Sequence, residues 1–412
     1  MRDNASDQIT DWSVRAMNTA VIVDAVRTPV GKGKPGGALS GVHPVDLLAG
    51  TIEALLARVD LDPTLVEDVI AGCVQQVGEQ SGNIGHNAAL AAGLPVTVPG
   101  TSINRQCGSS QQAAHFAAQG VITGAYDIVI ACGVESMSRI PLGSARSPSK
   151  GERLAGRYRD GLVNQGVSAE LVAHRWKLDR QTIDAYSAES HRRAAAAIAA
   201  DAFDNEIVPV PLPHDEGMTG RQHTVDETVR ASTTTDGLAH LAPSFRTYEM
   251  AIRFPDLEWV ITPGNSSPLT DGASAVLITS EQRADELGLR PRARFHAFSV
   301  VGDDPLLMLT GPIPATRRVL DRAGLSLDDI DAYEVNEAFA PVPLAWAHEL
   351  SADLTRLNPL GGAISLGHAL GSSGTRLLTS LVNHLESTSG RYGLQTMCEA
   401  GGMANATIIE RL

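Results

Sequence analysis

Asn104-Arg105-Gln106-Cys107-Gly108-Ser109-Ser110-Gln111-Gln112 is the stretch from which the rest of the chain is read. Ahead of it, residues 97–103 are short, β-prone and bounded by Pro95 and Pro99, so they read as an extended approach. Behind it, the run SSQQAAHFAAQ over 109–119 is helix-forming and is expected to stop at Gly120. Cys107 therefore stands at a strand-to-helix turn, at or next to a helix N-terminus. The first N–H groups of a helix lack intrahelical partners and its dipole is positive there. A thiolate is expected to be stabilised at such a place and to act as a nucleophile near neutral pH. Gly108 removes bulk where a substrate would approach. On this stretch alone, a buried structural cysteine explains Cys107 as well.

Composition narrows the classes. The chain has 412 residues, enough for two or three domains, with 43% hydrophobic and 19% charged residues, 39 Gly and 4% aromatics. This predicts a soluble globular protein, with no apolar run near the roughly 18 residues that span a membrane. A net charge of −14 argues against a nucleic-acid partner but leaves room for an anionic small ligand on a local basic patch. The four cysteines, Cys73, Cys107, Cys132 and Cys398, form no CxxC pair. That argues against a metal site or a secreted disulfide framework and for a cytoplasmic location. The polar segment 1–18 has neither a signal-peptide core nor transit-peptide character and is expected to be a disordered extension.

Outward from Cys107, short apolar strands alternate with Ala-rich helices. Residues 20–25 and 127–133 read as buried strands, and 44–59 and 84–92 as helices. This alternation predicts an α/β fold. The glycines of 31–41 fit neither a P-loop nor a dinucleotide fingerprint and are expected to form a plain surface loop. From 140 to 253 the strand pattern stops, and one clear helix, 182–200, stands among Arg, Pro and Gly residues. This segment is expected to be an insertion. Its arginines suit either a solvated face or a cover over a phosphate-bearing ligand.

The chain also repeats itself at a period of about 260 residues. Cys107-Gly108-Ser109-Ser110 parallels Leu370-Gly371-Ser372-Ser373, and 127–133 parallels the strand ending at Met397-Cys398-Glu399. Two similar domains around a pseudo-twofold axis would bring the two corresponding helix N-termini to one site. There, His368 in the Gly-rich turn 361–368 is a candidate base for the thiol, Asn336-Glu337-Ala338-Phe339 caps a further helix, and Cys398 ends a strand.

These motifs resemble the thiolases, from about residue 21 to the C-terminus. The resemblance rests on the Cys107 turn, Val134-Glu135-Ser136-Met137-Ser138, the segment 264–272, Asn336 to Phe339, Gly367-His368 and the Cys398 loop. It implies duplicated α/β/α domains in five αβαβα layers with an inserted loop domain. The expected division is 19–139 plus 254–285, the insertion 140–253, and 286–412. It implies CoA-dependent cleavage of a 3-ketoacyl-CoA through an acyl-Cys107 intermediate. His368 would be the base and Cys398 the acid. His368 and a water on Asn336 would form one oxyanion hole, and the N–H groups of Cys107 and Ala400 the other. Ser267, Gly264, Phe245, Ala338 and Phe339 would line the CoA site. No cofactor or metal is implied, since coenzyme A is a substrate, and a homodimer or homotetramer is expected.

The chain departs from the family pattern at Ala369 in place of proline, Leu360 in place of asparagine, and Ala400 in place of glycine. The first would loosen the histidine, the second removes a polar support, and the third keeps a backbone donor only at an ordinary φ. Asn164-Gln165-Gly166 replaces the His-Met-Gly of acetoacetyl-specific members, which favours a degradative enzyme, and the Cys107 turn looks like those of actinobacterial thiolases acting on long or sterol-derived esters. The competing readings are an acetoacetyl-CoA-forming thiolase, a decarboxylating ketosynthase, disfavoured by Cys398, and a non-catalytic acyl-CoA-binding module, disfavoured by the retention of Cys107 and His368.

Overall fold

Wholly apolar strands must be covered on both faces, and this chain meets that demand with helices on each side of its sheet. The computed structural model describes residues 18–147, 149, 151–213 and 220–412. The extension read as 1–18 lies outside the described residues except for Asn18. That residue is already tied to the Ile122 and Val121 carbonyls, each at 3.2 Å.

In chain order come β1 (Ala20–Arg27), β2 (Gly31–Lys32), α1 (Pro44–Arg58), β3 (Asp68–Gly72), α2 (Ile84–Ala91), β4 (Gly100–Ile103), α3 (Ser109–Thr123) and β5 (Ile128–Ser136). The insertion holds α4 (Glu152–Arg157), α5 (Gln165–Arg175), α6 (Arg180–Ala199), β6 (Val210–Pro211), β7 (Gln222–His223), α7 (Thr235–Ala239) and α8 (Tyr248–Arg253). Then follow β8 (Thr270–Ser280), α9 (Glu281–Leu287), β9 (Ala293–Gly302), α10 (Pro312–Ala323), β10 (Ala332–Val335) and α11 (Pro341–Leu350). The chain closes with α12 (Ala363–Leu366), α13 (Ser373–Thr388), β11 (Tyr392–Glu399) and β12 (Met403–Arg411).

The strand order is β10-β11-β12-β9-β1-β8-β5-β3-β4. It contains the same arrangement twice. β3 and β5 pair in parallel, β5 and β8 antiparallel, and β8 and β1 antiparallel. β10 and β11, β11 and β12, and β12 and β9 repeat those three relations in the same sense. Within the sheet, the halves meet through two residue pairs between β1 and β9. α1 packs on the strands of the first half and α10 on those of the second, while α13 touches strands of both halves and α3, packed on the first, reaches β11 and β12 through Gln111 and His115. The equivalence drawn from the sequence between the strands at 127–133 and 397–399 is the equivalence of β5 and β11.

Helices α3 and α13 interlock at their N-termini. Thr375 N–H donates to Ser110 Oγ at 3.0 Å. A methyl group at Gly374 would stand 2.1 Å from Gln111 N, so only glycine permits this approach. The apolar residues of α3 (Ala113, Ala114, Ala117, Ala118 and Val121) join β1, β5 and α13 in one buried cluster. Full burial of each large aliphatic side chain in such a cluster contributes about 1.5–3 kcal/mol.

Three expectations are corrected. α3 does not stop at Gly120 but runs to Thr123 and ends at Gly124, whose φ is +73°. Gly120 instead makes room for the Tyr126 ring. The insertion holds five helices among its described residues rather than one, because α5 is buried through small residues whose period the sequence masks. The loop 31–41 is not a plain surface loop. β2 pairs with β8, and Glu227 of the insertion accepts from Lys32 N–H at 2.8 Å and Ala38 N–H at 2.9 Å. The insertion is also pinned to β1 through fully buried Arg27, which pairs with Glu206 at 2.6 Å and Asp226 at 2.8 Å. Breaking such a buried pair from one side costs several kcal/mol, about 3–5.

Candidate active site

Cys107 is the residue before the Gly108 cap of α3. Gln106 holds a left-handed φ of +50°, and Asn104 Oδ1 accepts its N–H at 2.8 Å. The Gly108 and Ser109 N–H groups, expected to be free for a thiolate, are taken by the Arg105 and Gln106 carbonyls, both at 3.1 Å. The Cys107 side chain is 4% exposed and packs with Leu370, Leu377 and Met397. Burial pushes its thiol up to about 12. Glu399 adds to the rise, while its own N–H and Gln165 oppose it. The expectation of a resting thiolate is therefore corrected: desolvation outweighs the helix terminus, and Cys107 rests as a thiol.

His368 lies in the turn between α12 and α13. Burial and then Arg376 push its imidazole down to about 3, so it rests neutral. Nδ1 lies 2.7 Å from Ser373 Oγ, and Ser373 Oγ lies 2.8 Å from the Ala369 carbonyl oxygen. A carbonyl only accepts, so for both contacts to be hydrogen bonds the serine proton goes to Ala369 and the ring proton sits on Nδ1. Nε2 is left as the basic nitrogen. It faces Asn336 Nδ2 at 3.4 Å, while Asn336 Oδ1 is buried without a partner. Glu135 anchors this turn from the other half of the molecule, accepting from Gly371 N–H at 2.9 Å and from Val74 and Gln75 N–H, each at 3.0 Å.

Cys398 lies at the end of β11 and is 1% exposed. Burial, then Cys107, then Glu399 hold its thiol well above the ordinary range, so it too keeps its proton. It shares an apolar cluster with Ala338 and Phe339, and Phe245 and Ala400 pack on that cluster. Ser267 N–H and Oγ both lie 3.1 Å from the Ala338 carbonyl, Ala340 N–H donates to Asn265 at 3.0 Å, and Phe245 meets Phe339 edge-on at 5.9 Å. The structure thus gathers Phe245, Ser267, Ala338 and Phe339 about Cys398, while Gly264 lies against Leu238 and Leu241.

The description "Thiolase, N-terminal domain" matches residues 20–282, and "Thiolase, C-terminal domain" matches 289–411. The chain is 48% identical over 411 residues to the steroid 3-ketoacyl-CoA thiolase FadA6 of Mycobacterium tuberculosis, covering 96% of this chain and 95% of that protein. It is 42% identical over 400 residues to the 3-ketoacyl-CoA thiolase FadA of Escherichia coli, covering 96% and 100%. The crystal structure of the Bacillus anthracis acetyl-CoA acetyltransferase superposes with a TM-score of 0.86 at 35% identity, covering 96% of this chain and 100% of that one. The chain belongs to the thiolase family. With it the chain is an acyltransferase.

The departures from the thiolase pattern find local answers. The Ala369 carbonyl accepts from the N–H groups of Ser372 and Ser373, both at 3.0 Å, and from the Ser373 hydroxyl, so the turn is tied without a proline ring. Leu360 packs on the cluster of Ala194, Phe203 and Leu366. Polar support of that turn comes from Glu337, which accepts from Tyr186 and Ser190 at 2.8 Å and from Asn358 and Ile364 at 3.0 Å. Positive φ falls at Gly401 and Gly402, after Ala400, so the alanine stands at an ordinary φ. Asn164 caps α5, accepting from Val167 N–H at 3.0 Å. Sequence reasoning assigned no role to Ser373, Glu135 or Glu337. Ser373 was legible as a hydroxyl five residues after the histidine, and Glu135 lay inside a quoted motif.

Proposed function

We propose that this thiolase cleaves 3-ketoacyl-CoA esters with free CoA, through the residues assembled above. The carrying observation is the histidine whose Nδ1 is committed to Ser373, which leaves Nε2 unprotonated and facing Asn336 Nδ2. A thiol at about 12 and an imidazole at about 3 do not form a resting ion pair, so proton transfer accompanies attack. Cys107 Sγ bonds to the 3-keto carbon as His368 Nε2 takes its proton. The bond between C2 and C3 then breaks, and Cys398 delivers its proton to C2, releasing acetyl-CoA. Free CoA attacks the acyl-Cys107 thioester. Its thiol proton and the proton on His368 restore the two cysteines.

His368 and a water on the unpartnered Asn336 Oδ1 stabilise the enolate oxygen, and the N–H groups of Cys107 and Ala400 stabilise the tetrahedral oxyanion. Phe245, Gly264, Ser267, Ala338 and Phe339 hold the pantetheine arm, and exposed Arg246 stands beside Phe245 where phosphates would lie. Coenzyme A enters as substrate, and no further cofactor is invoked. We assign residues 19–139 with 254–285 and 286–412 to the two halves and 140–253 to the loop domain. The open edge of β4 supports a homodimer or homotetramer. Four free cysteines support a cytoplasmic location. Among the described residues no helix is long and apolar enough to cross a membrane.

The narrower reading is a degradative enzyme for long or ring-bearing esters, supported by the name of the 48% relative. The acetyltransferase neighbour keeps acetoacetyl-CoA chemistry as the second reading. Cleavage rates across 3-ketoacyl-CoAs, from acetoacetyl through long-chain to ring-bearing, decide between them. A preference for acetoacetyl-CoA would overturn the degradative assignment, and no cleavage of any ester would overturn the enzyme reading.

A further inference from the structure

One acid beside the two cysteines has no part in the chemistry above. Glu399 follows Cys398 and is fully buried, and neither carboxyl oxygen has a hydrogen-bond partner. It lies over the backbone next to the nucleophile, for a methyl group on Gly108 would stand 2.0 Å from Glu399 Oε1. Its ladder partner on β12 is Met403, and Arg105 reaches the Met403 sulfur at 4.0 Å. Among the described residues no hydrogen bond joins Arg105 to Glu399, and Arg105 Nε is itself buried without a partner.

The surroundings suit an uncharged acid. The face of α3 behind Gly108 carries Gln111, Gln112 and His115, packed against Gln395, Asn405 and Thr407 of β11 and β12. In this layer Gln111 Oε1, Gln395 Oε1 and Asn405 Oδ1 are unpartnered acceptors. A carboxylate adds two more unpartnered acceptors beside these three, whereas a carboxylic acid adds a donor that they can accept. Thiolase chemistry, on which this inference rests, forms negative charge at Cys107 and then at Cys398. A fixed negative charge between them opposes both steps.

We propose that Glu399 is a positioning residue of the acyl-transfer site, an acid kept neutral over Gly108 so that charge can form at Cys107 and Cys398, and that its ionisation closes the site at alkaline pH. The charged and titratable groups facing it are Arg105 and Cys107 from the turn before α3, His115 farther along that helix, and Cys398 on its own strand. Glu135 bears on Cys107 from β5. Burial, partly opposed by Arg105, raises the Glu399 carboxyl to about 8, which places the ionisation within reach of an assay.

The experiment compares wild type with Glu399→Gln. The first arm measures Cys107 acylation by a 3-ketoacyl-CoA without free CoA from pH 6 to 10, so that no thiol but the enzyme's titrates. The expected result is an alkaline fall in the wild type that moves up by about one pH unit or more in the variant, a tenfold rate ratio past the limb. Coincident limbs overturn the proposal. The second arm, alkylation of Cys107 by iodoacetamide against pH, needs no substrate and is expected to move to lower pH in Glu399→Gln. A shift in this arm without acylation in either protein would sink the thiolase reading and leave the Glu399 assignment standing. Where Glu399→Gln does not fold, Arg105→Gln carries the test. Loss of the nearest cation moves the acylation limb up, and an unmoved limb overturns the proposal.

Discussion

The turn before α3 and the turn before α13 occupy equivalent places in the two halves, yet they are built to do opposite things. The Cys107 turn consumes its own N–H groups, buries its thiol against Leu370 and Met397, and leaves the sulfur protonated. The His368 turn spends its hydrogen bonds on orienting a ring, with Ser373 on one nitrogen and Glu135 anchoring Gly371 from the other half. Duplication of a fold repeats the position of a helix N-terminus but not its chemistry. The side chains at each terminus decide whether that position carries a thiol or an imidazole, and α3 interlocks with α13 beside both turns.

The comparison breaks most completely at the nucleophile. Cys107→Ala is expected to lower turnover by about 10^4-fold or more while CoA-ester binding, read by calorimetry, persists. Cys398→Ala should instead abolish α-proton exchange of acetyl-CoA and spare Cys107 acylation, and exchange at the wild-type rate would remove its assigned role. Ser373→Ala sharpens the other side. It removes the acceptor of Nδ1–H, so kcat should fall about 10- to 100-fold with KM little changed, and Ser373→Thr should recover part of the loss. An equal rise in KM would mark Ser373 as structural only.

Gly108→Ala tests a close approach to a side chain, where the equivalent Gly371 of the His368 turn lies against backbone carbonyls. The clash with Glu399 should cost about 1–3 kcal/mol, seen as a lower midpoint in thermal or urea unfolding. Smallest is a pH effect on stability. Burial raises the Glu399 and Glu334 carboxyls from 4.5 to about 8 in the folded state. The stability they contribute is fully present below about pH 4.5 and lost as pH rises through about 8. Glu399→Gln should therefore flatten the decline in melting temperature between pH 5 and 8, and an unchanged slope would place the ionisation elsewhere.

Much of this was legible in the residues. The α/β class followed from apolar runs such as 127–133, and the duplication from paired turns. Cys107, His368, Cys398 and Asn336 stood in motifs whose spacing survives burial. Ser373 and Glu399 were passed over because a serine in a first helical turn and a glutamate after a cysteine have many ordinary explanations. Only the distances to His368 Nδ1 and to Gly108 single them out. The helices of the insertion were missed because α5 is buried through small residues and a capped terminus rather than through a strong apolar stripe.

By itself the sequence determined the alternation of strand and helix, the repeat and the family, and singled out the candidate reacting groups, since these depend on local pattern and residue type. Tertiary structure decided the protonation states. A helix N-terminus read in isolation promises a thiolate, but desolvation is a property of what surrounds the sulfur, and it keeps Cys107 a thiol. The tautomer of His368 was decided in the same way, by a serine and a carbonyl that the fold sets within hydrogen-bonding distance of one another.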